Sequence, residues 1–196
     1  NKENYYSFDH GRVHFICLDS YGVTRAVGGA MYNWLVNDLA YADTHSDWVI
    51  AYWHHPPYTK GTHDSDQPAG DEMTDMRANF LPLLEQHGVD LVLSGHSHVY
   101  ERSYLTDGHY GLSSTYNAVT MRLDGPSGQA STTGPYRKHG DTRPHEGTVY
   151  AVCGVSGKSG TGSLNHPAMH LSTSAHFGSM VIDINGADMR VRFLNA

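Results

Sequence analysis

The sequence has no apolar run approaching the ~20 residues that a membrane-spanning helix needs, so it is not built around such a helix and no membrane partner is expected. It is also short of positive charge. Thirteen Lys and Arg stand against twenty Asp and Glu, a net charge of −7. Proteins that grip nucleic acid by its phosphates carry a basic patch or stripe, so no nucleic-acid partner is expected either. Only two cysteines occur, Cys17 and Cys153. Both sit in apolar, strand-like runs where a buried free thiol is the default, and their number neither requires nor excludes secretion. The run Gly154-Val155-Ser156-Gly157-Lys158-Ser159-Gly160 suggests a phosphate loop, but position 152, where the first glycine is required, is Val. That reading is excluded. No internal repeat and no linker divides the chain, so its 196 residues are read as one domain, long enough for a real core.

What the sequence does have is histidine: 15 residues, more than Lys and Arg together, which fits a metal-binding or pH-sensitive role. His109, His139, His145, His166 and His170 fall in loop-like sequence and are expected to be solvated. Two other stretches carry more information. Leu91 to Leu93 reads as a short buried strand and runs into Gly95-His96-Ser97-His98. In an extended His-x-His both rings point to one side. Upstream, Trp48 to Trp53 is a second apolar run and ends abruptly in His54-His55-Pro56-Pro57, since proline cannot extend a central strand. Two strands separated by one helical segment form a βαβ unit, and their C-terminal ends then open on one edge of a parallel sheet. His54, His96 and His98 are thereby expected to meet there. Imidazole suits Zn, Fe, Mn or Cu rather than Ca or Mg.

Trp53-His54-His55-Pro56-Pro57-Tyr58 followed by Gly95-His96-Ser97-His98-Val99-Tyr100-Glu101-Arg102 closely resembles the calcineurin-like metallophosphoesterases, especially their purple acid phosphatase branch. The resemblance implies part of a four-layer αββα sandwich with mixed sheets, an α/β fold. It implies hydrolysis of a small-molecule phosphate ester at a dinuclear centre of Fe, Zn or Mn. His54 and His96 would hold one ion and His98 the other. His63, nine residues beyond His54, matches a family histidine that lines the substrate pocket and can protonate the leaving group, a task that suits imidazole near neutral pH. An extracellular or periplasmic location is also implied.

The earlier metal motifs of the family, Gly-Asp-x-x-Tyr and Gly-Asn-His-Glu among them, do not occur. A two-metal site takes about eight donors or more if each ion has four to six ligands. Residues 1–196 are therefore expected to be the C-terminal part of one catalytic domain, an excised or processed product that needs an N-terminal half or a second copy of itself. The alternative is a non-catalytic remnant or assembly module binding at most one metal.

Other residues have simpler readings. His55 projects away from His54 if the backbone stays extended, leaving it a supporting or pocket role. Tyr100 and Arg102 are candidates to touch substrate or to support those that do, with bracing of the histidine loop the commoner role for Glu101 and Arg102. Asp64 and Asp66 read as turn residues. Along the chain, strands are expected over 4–10 and 12–19 with a turn at Gly11. A helix carries Met31, Trp34, Leu35 and Leu39 on one face, followed by a polar turn over 43–46. A second helix is expected over 73–86, kinked at Pro82. Further strands are read over 116–123 and 147–155, a long loop over 124–146, and a β-hairpin about Asn185-Gly186.

Overall fold

Alternation of apolar side chains decides which face of each strand is buried and against what. The computed structural model describes residues 3–129, 131–139 and 141–196. Strands β1 (Tyr6–His10) and β2 (Val13–Cys17) pair antiparallel about Gly11, whose φ of 61° lies where glycine carries no steric penalty. Helix α1 (Ala30–His45) buries Met31, Leu35, Leu39 and Ala42, one stripe at helical spacing. It runs through Asp43 and Thr44, so the polar turn expected there is the last turn of the helix.

Strands β3 (Trp48–Tyr52), β4 (Leu91–Ser94) and β6 (Val149–Cys153) continue the sheet parallel to β2. Between β3 and β4 the chain forms helix α2 (Glu72–Asp75), a π-helical turn (Met76–Phe80) and helix α3 (Leu81–Gln86). Asp71 caps the start by accepting from the Met73 N–H at 2.9 Å. The expected kink at Pro82 takes the form of that wider turn just before it: proline has no N–H to donate and crowds the preceding turn. Strands β5 (Tyr100–Ser103) and β7 (Met169–Thr173) add antiparallel beyond β6, giving the order β1-β2-β3-β4-β6-β5-β7. A hairpin, β8 (Gly178–Asn185) and β9 (Asp188–Asn195), forms a separate two-stranded sheet.

The large sheet is apolar on both faces. Ile16, Val49, Ala51, Val92 and Tyr150 pack against α1 and α3. The alternate residues Val13, Ile50 and Leu91, with Trp48, Leu93 and Val149, pack against Ile182, Ile184, Met189 and Val191 of the hairpin. The described residues thus supply three layers: helices, a mixed sheet, and the hairpin as part of a second sheet. This is the mixed α/β architecture expected.

Two expectations fail locally. Residues 116–123 form no strand. Helix α4 (Ala118–Met121) lies there, held by Asn117 accepting from the Val119 N–H, with Val119 90% exposed. His109 and His166 are buried, not solvated. Cys17 and Cys153 are both free. They lie on β2 and β6, three strand spacings apart, so about 14 Å at ~4.8 Å per step, beyond disulfide reach.

Four parallel strands, β2, β3, β4 and β6, therefore end on one sheet edge, where open α/β sheets place their ligands. Ser20, His54, His96 and Gly154 follow directly upon them. Among the described residues no helix is long and apolar enough to cross a membrane.

Candidate metal centre

His54 and His55 leave β3 in a bend rather than an extended strand, so the alternation that would turn His55 away stops at Tyr52. Its ring centroid lies 4.8 Å from that of His54 and 4.5 Å from that of His96. The expectation that His55 projects to the opposite side is thereby corrected. Ser20, arriving from β2, fixes it: the Ser20 hydroxyl lies 2.9 Å from His55 Nδ1 and accepts from the His55 N–H at 3.2 Å. Trp53 adds its indole N–H to the His55 carbonyl at 2.6 Å.

The second loop is wound tightly. The Ser97 N–H donates to Gly95 O at 2.6 Å and the Val99 N–H to Ser97 O at 2.8 Å, two successive i to i+2 turns. His96 sits at φ 59°, in the left-handed region that costs a non-glycine residue about 1 kcal/mol or more. That conformation swings its ring over the end of β3. His96 Nδ1 is 3.1 Å from His54 Nε2, and its ring lies against that of His63, tilted by 33° with centroids 3.9 Å apart.

His54, His63, His96 and His98 line one open cavity of about 410 Å³, together with Gly95, Cys153, Gly154, Ser156 and Gly157. His54 and His96, together with His55 beside the cavity, present ring nitrogens that all lie within 4.8 Å of one another. His98 lines the same cavity but lies outside that compact trio. Burial, then the neighbouring rings of His63, His55, His54 and His98, push His96 down to about 4. Burial, then His54, also lowers His55. Both stay neutral near pH 7, the form in which imidazole binds a transition metal. Three clustered imidazoles fit Zn, Fe or Mn, and by themselves they fall short of the ligand count of two ions.

Two residues named as candidates for substrate contact are placed elsewhere. Tyr100 is buried in a stack with Phe193 of the hairpin, centroids 4.2 Å apart. Arg102 Nη1 donates to Ser127 O at 2.9 Å and reaches the Tyr136 hydroxyl at 3.4 Å, fastening the 124–146 loop. Neither lines the cavity. Glu101 braces, as expected. Wholly buried, it accepts from the Thr59 hydroxyl, from the Ser172 hydroxyl at 3.2 Å and from the Lys60 N–H at 3.4 Å. Thr59 Oγ1 lies 2.9 Å from Ser97 Oγ, which links the brace to the histidine loop. Asp64 and Asp66 both pair with Lys60, and Asp66 also accepts from Ser113, so they serve as turn residues. Ser20 and the wall after β6 were missed by sequence reasoning. Only the His-His doublet hinted at a wider histidine set.

The calcineurin-like phosphoesterase family model matches residues 1–100, which hold all the cavity histidines. The chain belongs to that family. Its similarity is to the purple acid phosphatase branch. It is 37% identical over 100 residues to purple acid phosphatase 15 of Arabidopsis thaliana, covering 50% of this chain and 18% of that protein. It is 30% identical over 167 residues to an uncharacterized protein of Mycobacterium tuberculosis, covering 79% and 28%. The purple acid phosphatase PPD1 of yellow lupin superposes with a TM-score of 0.69 at 19% identity, over 99% of this chain and 31% of that one. GAP50, described as the anchor in the inner membrane complex of Plasmodium, superposes at 0.59 and 18% identity, over 99% and 51%. At those identities the two structures speak for the fold alone. The chain spans 18% to 28% of the length of these curated relatives.

Proposed function

We propose that the chain carries part of the active site of a metal-dependent phosphate-ester hydrolase, holding His54, His96 and His98 as ligands of a dinuclear centre. The supporting observation is the single cavity at the ends of β3 and β4 that His54, His63, His96 and His98 line together. His63 is the proton donor to the leaving group. It lines the cavity beside His96, with ring centroids 3.9 Å apart, within reach of an ester bound there. His55 supports His54 and His96 from below, anchored by Ser20. A transition-metal pair, when bound, would neutralise charge on the phosphoryl oxygens and acidify the attacking water. Residues 1–196 are then the C-terminal part of a catalytic domain whose other ligands come from a preceding segment or from a second copy. An extracellular or periplasmic site of action goes with this reading.

A second reading has its own support. His54, His55 and His96 form the compact trio, and His98 does not join it, so one ion held without turnover is the alternative. Metal analysis and an assay separate them. The chain, alone and with any covalently preceding segment, is loaded with Zn, Mn or Fe and offered p-nitrophenyl phosphate and bis(p-nitrophenyl) phosphate. Two ions per site with turnover, and a fall of about 100-fold or more in His96→Ala given the usual cost of lost metal ligation, are expected. One ion and no turnover in either form would favour the mononuclear reading.

A further inference from the structure

The glycine-rich stretch after β6 is unused by any phosphate-loop reading, yet it touches both histidine loops. The Gly154 N–H donates to Val99 O at 3.1 Å, the Gly160 N–H to His98 O at 3.0 Å, and the Leu164 N–H to Lys60 O at 2.9 Å. A methyl group built on Gly154 would stand 2.1 Å from Ser97 O, on Gly160 2.0 Å from the Thr62 methyl, and on Gly162 1.9 Å from Gly61 O. None of the three has a left-handed φ. Glycine is needed here for close approach of chains, not for backbone freedom. Thr62 sits at the centre of the contact, and its hydroxyl accepts from the His98 N–H at 2.9 Å.

We propose that Gly160 and Thr62 are positioning residues for His98: the segment Gly154–Gly162 is a strap whose closeness to Thr62 sets where His98 stands relative to His54, His55 and His96. The strap presses the Thr62 side chain against the His98 backbone, while its own Gly160 N–H holds the His98 carbonyl. His98 is thus fixed from both sides, and the cavity wall and the ligand position are set by one element. The functional meaning rests on the reading of His98 as a ligand, but the position of its ring does not.

The test uses the full chain without metal, following the imidazole nitrogen resonances of His98 and His63 by NMR, with zinc affinity from chelator competition as a second readout. Gly160→Ala is expected to shift the His98 resonances and to weaken zinc binding by about 10-fold or more, the usual cost of disturbing the support of a ligand. Adding Thr62→Ser, which removes the methyl that the new side chain meets and keeps the hydroxyl, is expected to restore both. Thr62→Val, which keeps the shape and removes the hydroxyl, is expected to reproduce the displacement in a fold that needs no room for a new methyl. Unmoved His98 resonances in both Gly160→Ala and Thr62→Val, or no rescue by Thr62→Ser, would overturn the proposal. Displaced resonances with unchanged zinc affinity would leave the strap standing and remove His98 from the ligand set.

Discussion

Lowering the pH from 6.5 to 4 is expected to cost the wild-type fold about 3 kcal/mol more than it costs a His166→Asn variant, at 1.36 kcal/mol per pH unit for one proton. His166 lies between Tyr58 and His109, with ring centroids 5.3 and 6.1 Å away. Its Nδ1 accepts from the Ala168 N–H at 3.2 Å, which puts the proton of the neutral ring on Nε2. Burial, then the charge interaction with His109, pushes it down to about 3. His109, wholly buried, is held at about 4 by burial and then by Arg77.

A histidine depressed in the folded state stays neutral there while its unfolded counterpart takes up a proton near pH 6.5. The unfolded chain binds more protons below that pH, so stability falls as pH falls until the folded pKa is reached. Other groups do not blur this difference, because they are common to both proteins. His14, clamped between Asp9 and Asp38, has a raised pKa. Its contribution is complete below 6.5 and fades only as pH rises above that. Glu85, raised to about 7 by burial, likewise runs opposite to His166, gaining stability as pH falls from 7 toward 4.5. Asparagine keeps an acceptor where Nδ1 meets the Ala168 N–H. The check is urea unfolding of both proteins at pH 7, 6, 5 and 4. Parallel curves would mean that His166 titrates normally and is not buried as described.

How much of this was readable in advance follows from what each segment buries. Strands β3 and β4 were legible because both faces are covered, and continuous runs such as Val49-Ile50-Ala51 and Leu91-Val92-Leu93 announce a parallel sheet core. The hairpin β8–β9 announced itself by alternation about Asn185-Gly186. Strands β5 and β7 did not, because their inward positions include Glu101, Ser103 and Ser172 rather than an apolar stripe: Glu101 is satisfied by Ser172 and Thr59, and the Ser103 hydroxyl by the Tyr104 carbonyl and the Tyr150 N–H. Residues 116–123 misled in the opposite sense: Tyr116, Val119 and Leu123 look like a strand, but among the described residues the segment makes only one isolated bridge, between Thr106 and Arg122. His54, His63, His96 and His98 line one cavity; the sequence pointed to the first, third and fourth through the two strand ends and to His63 through the family resemblance. The place of His55 was invisible because it depends on a bend just past the end of β3. Local sequence did not encode the burial of His109 and His166 either. Tyr58, 51 residues before His109 in the chain, donates its hydroxyl to the His109 carbonyl and brings that loop inside.

Glu101→Ala is expected to lower the folding free energy by about 3 kcal/mol or more, the largest single loss among the substitutions near the cavity. The carboxylate is wholly buried and, among the described residues, has no cationic partner within salt-bridge distance. Burial raises its pKa, and the donors Thr59, Lys60 and Ser172 act against that shift. Removing it leaves the Ser172 hydroxyl and the Lys60 N–H without that acceptor and the Thr59 hydroxyl with Ser97 Oγ in its place; each unpaired group costs about 1 kcal/mol or more, besides the cavity left by the side chain. Glu101→Gln, which keeps the volume and one acceptor oxygen, is expected to lose less than half as much. Because Thr59 joins Glu101 to Ser97, the damage should extend to the loop carrying His96 and His98. Glu101→Ala is therefore expected to lose zinc affinity along with stability, while a core substitution on the hairpin face of the sheet, such as Ile50→Val, loses about 1 kcal/mol of stability with zinc affinity unchanged. Denaturant unfolding and zinc titration of the three variants measure both quantities. Equal zinc affinity in Glu101→Ala and Ile50→Val would show that the brace supports the sheet alone and not the histidine loop.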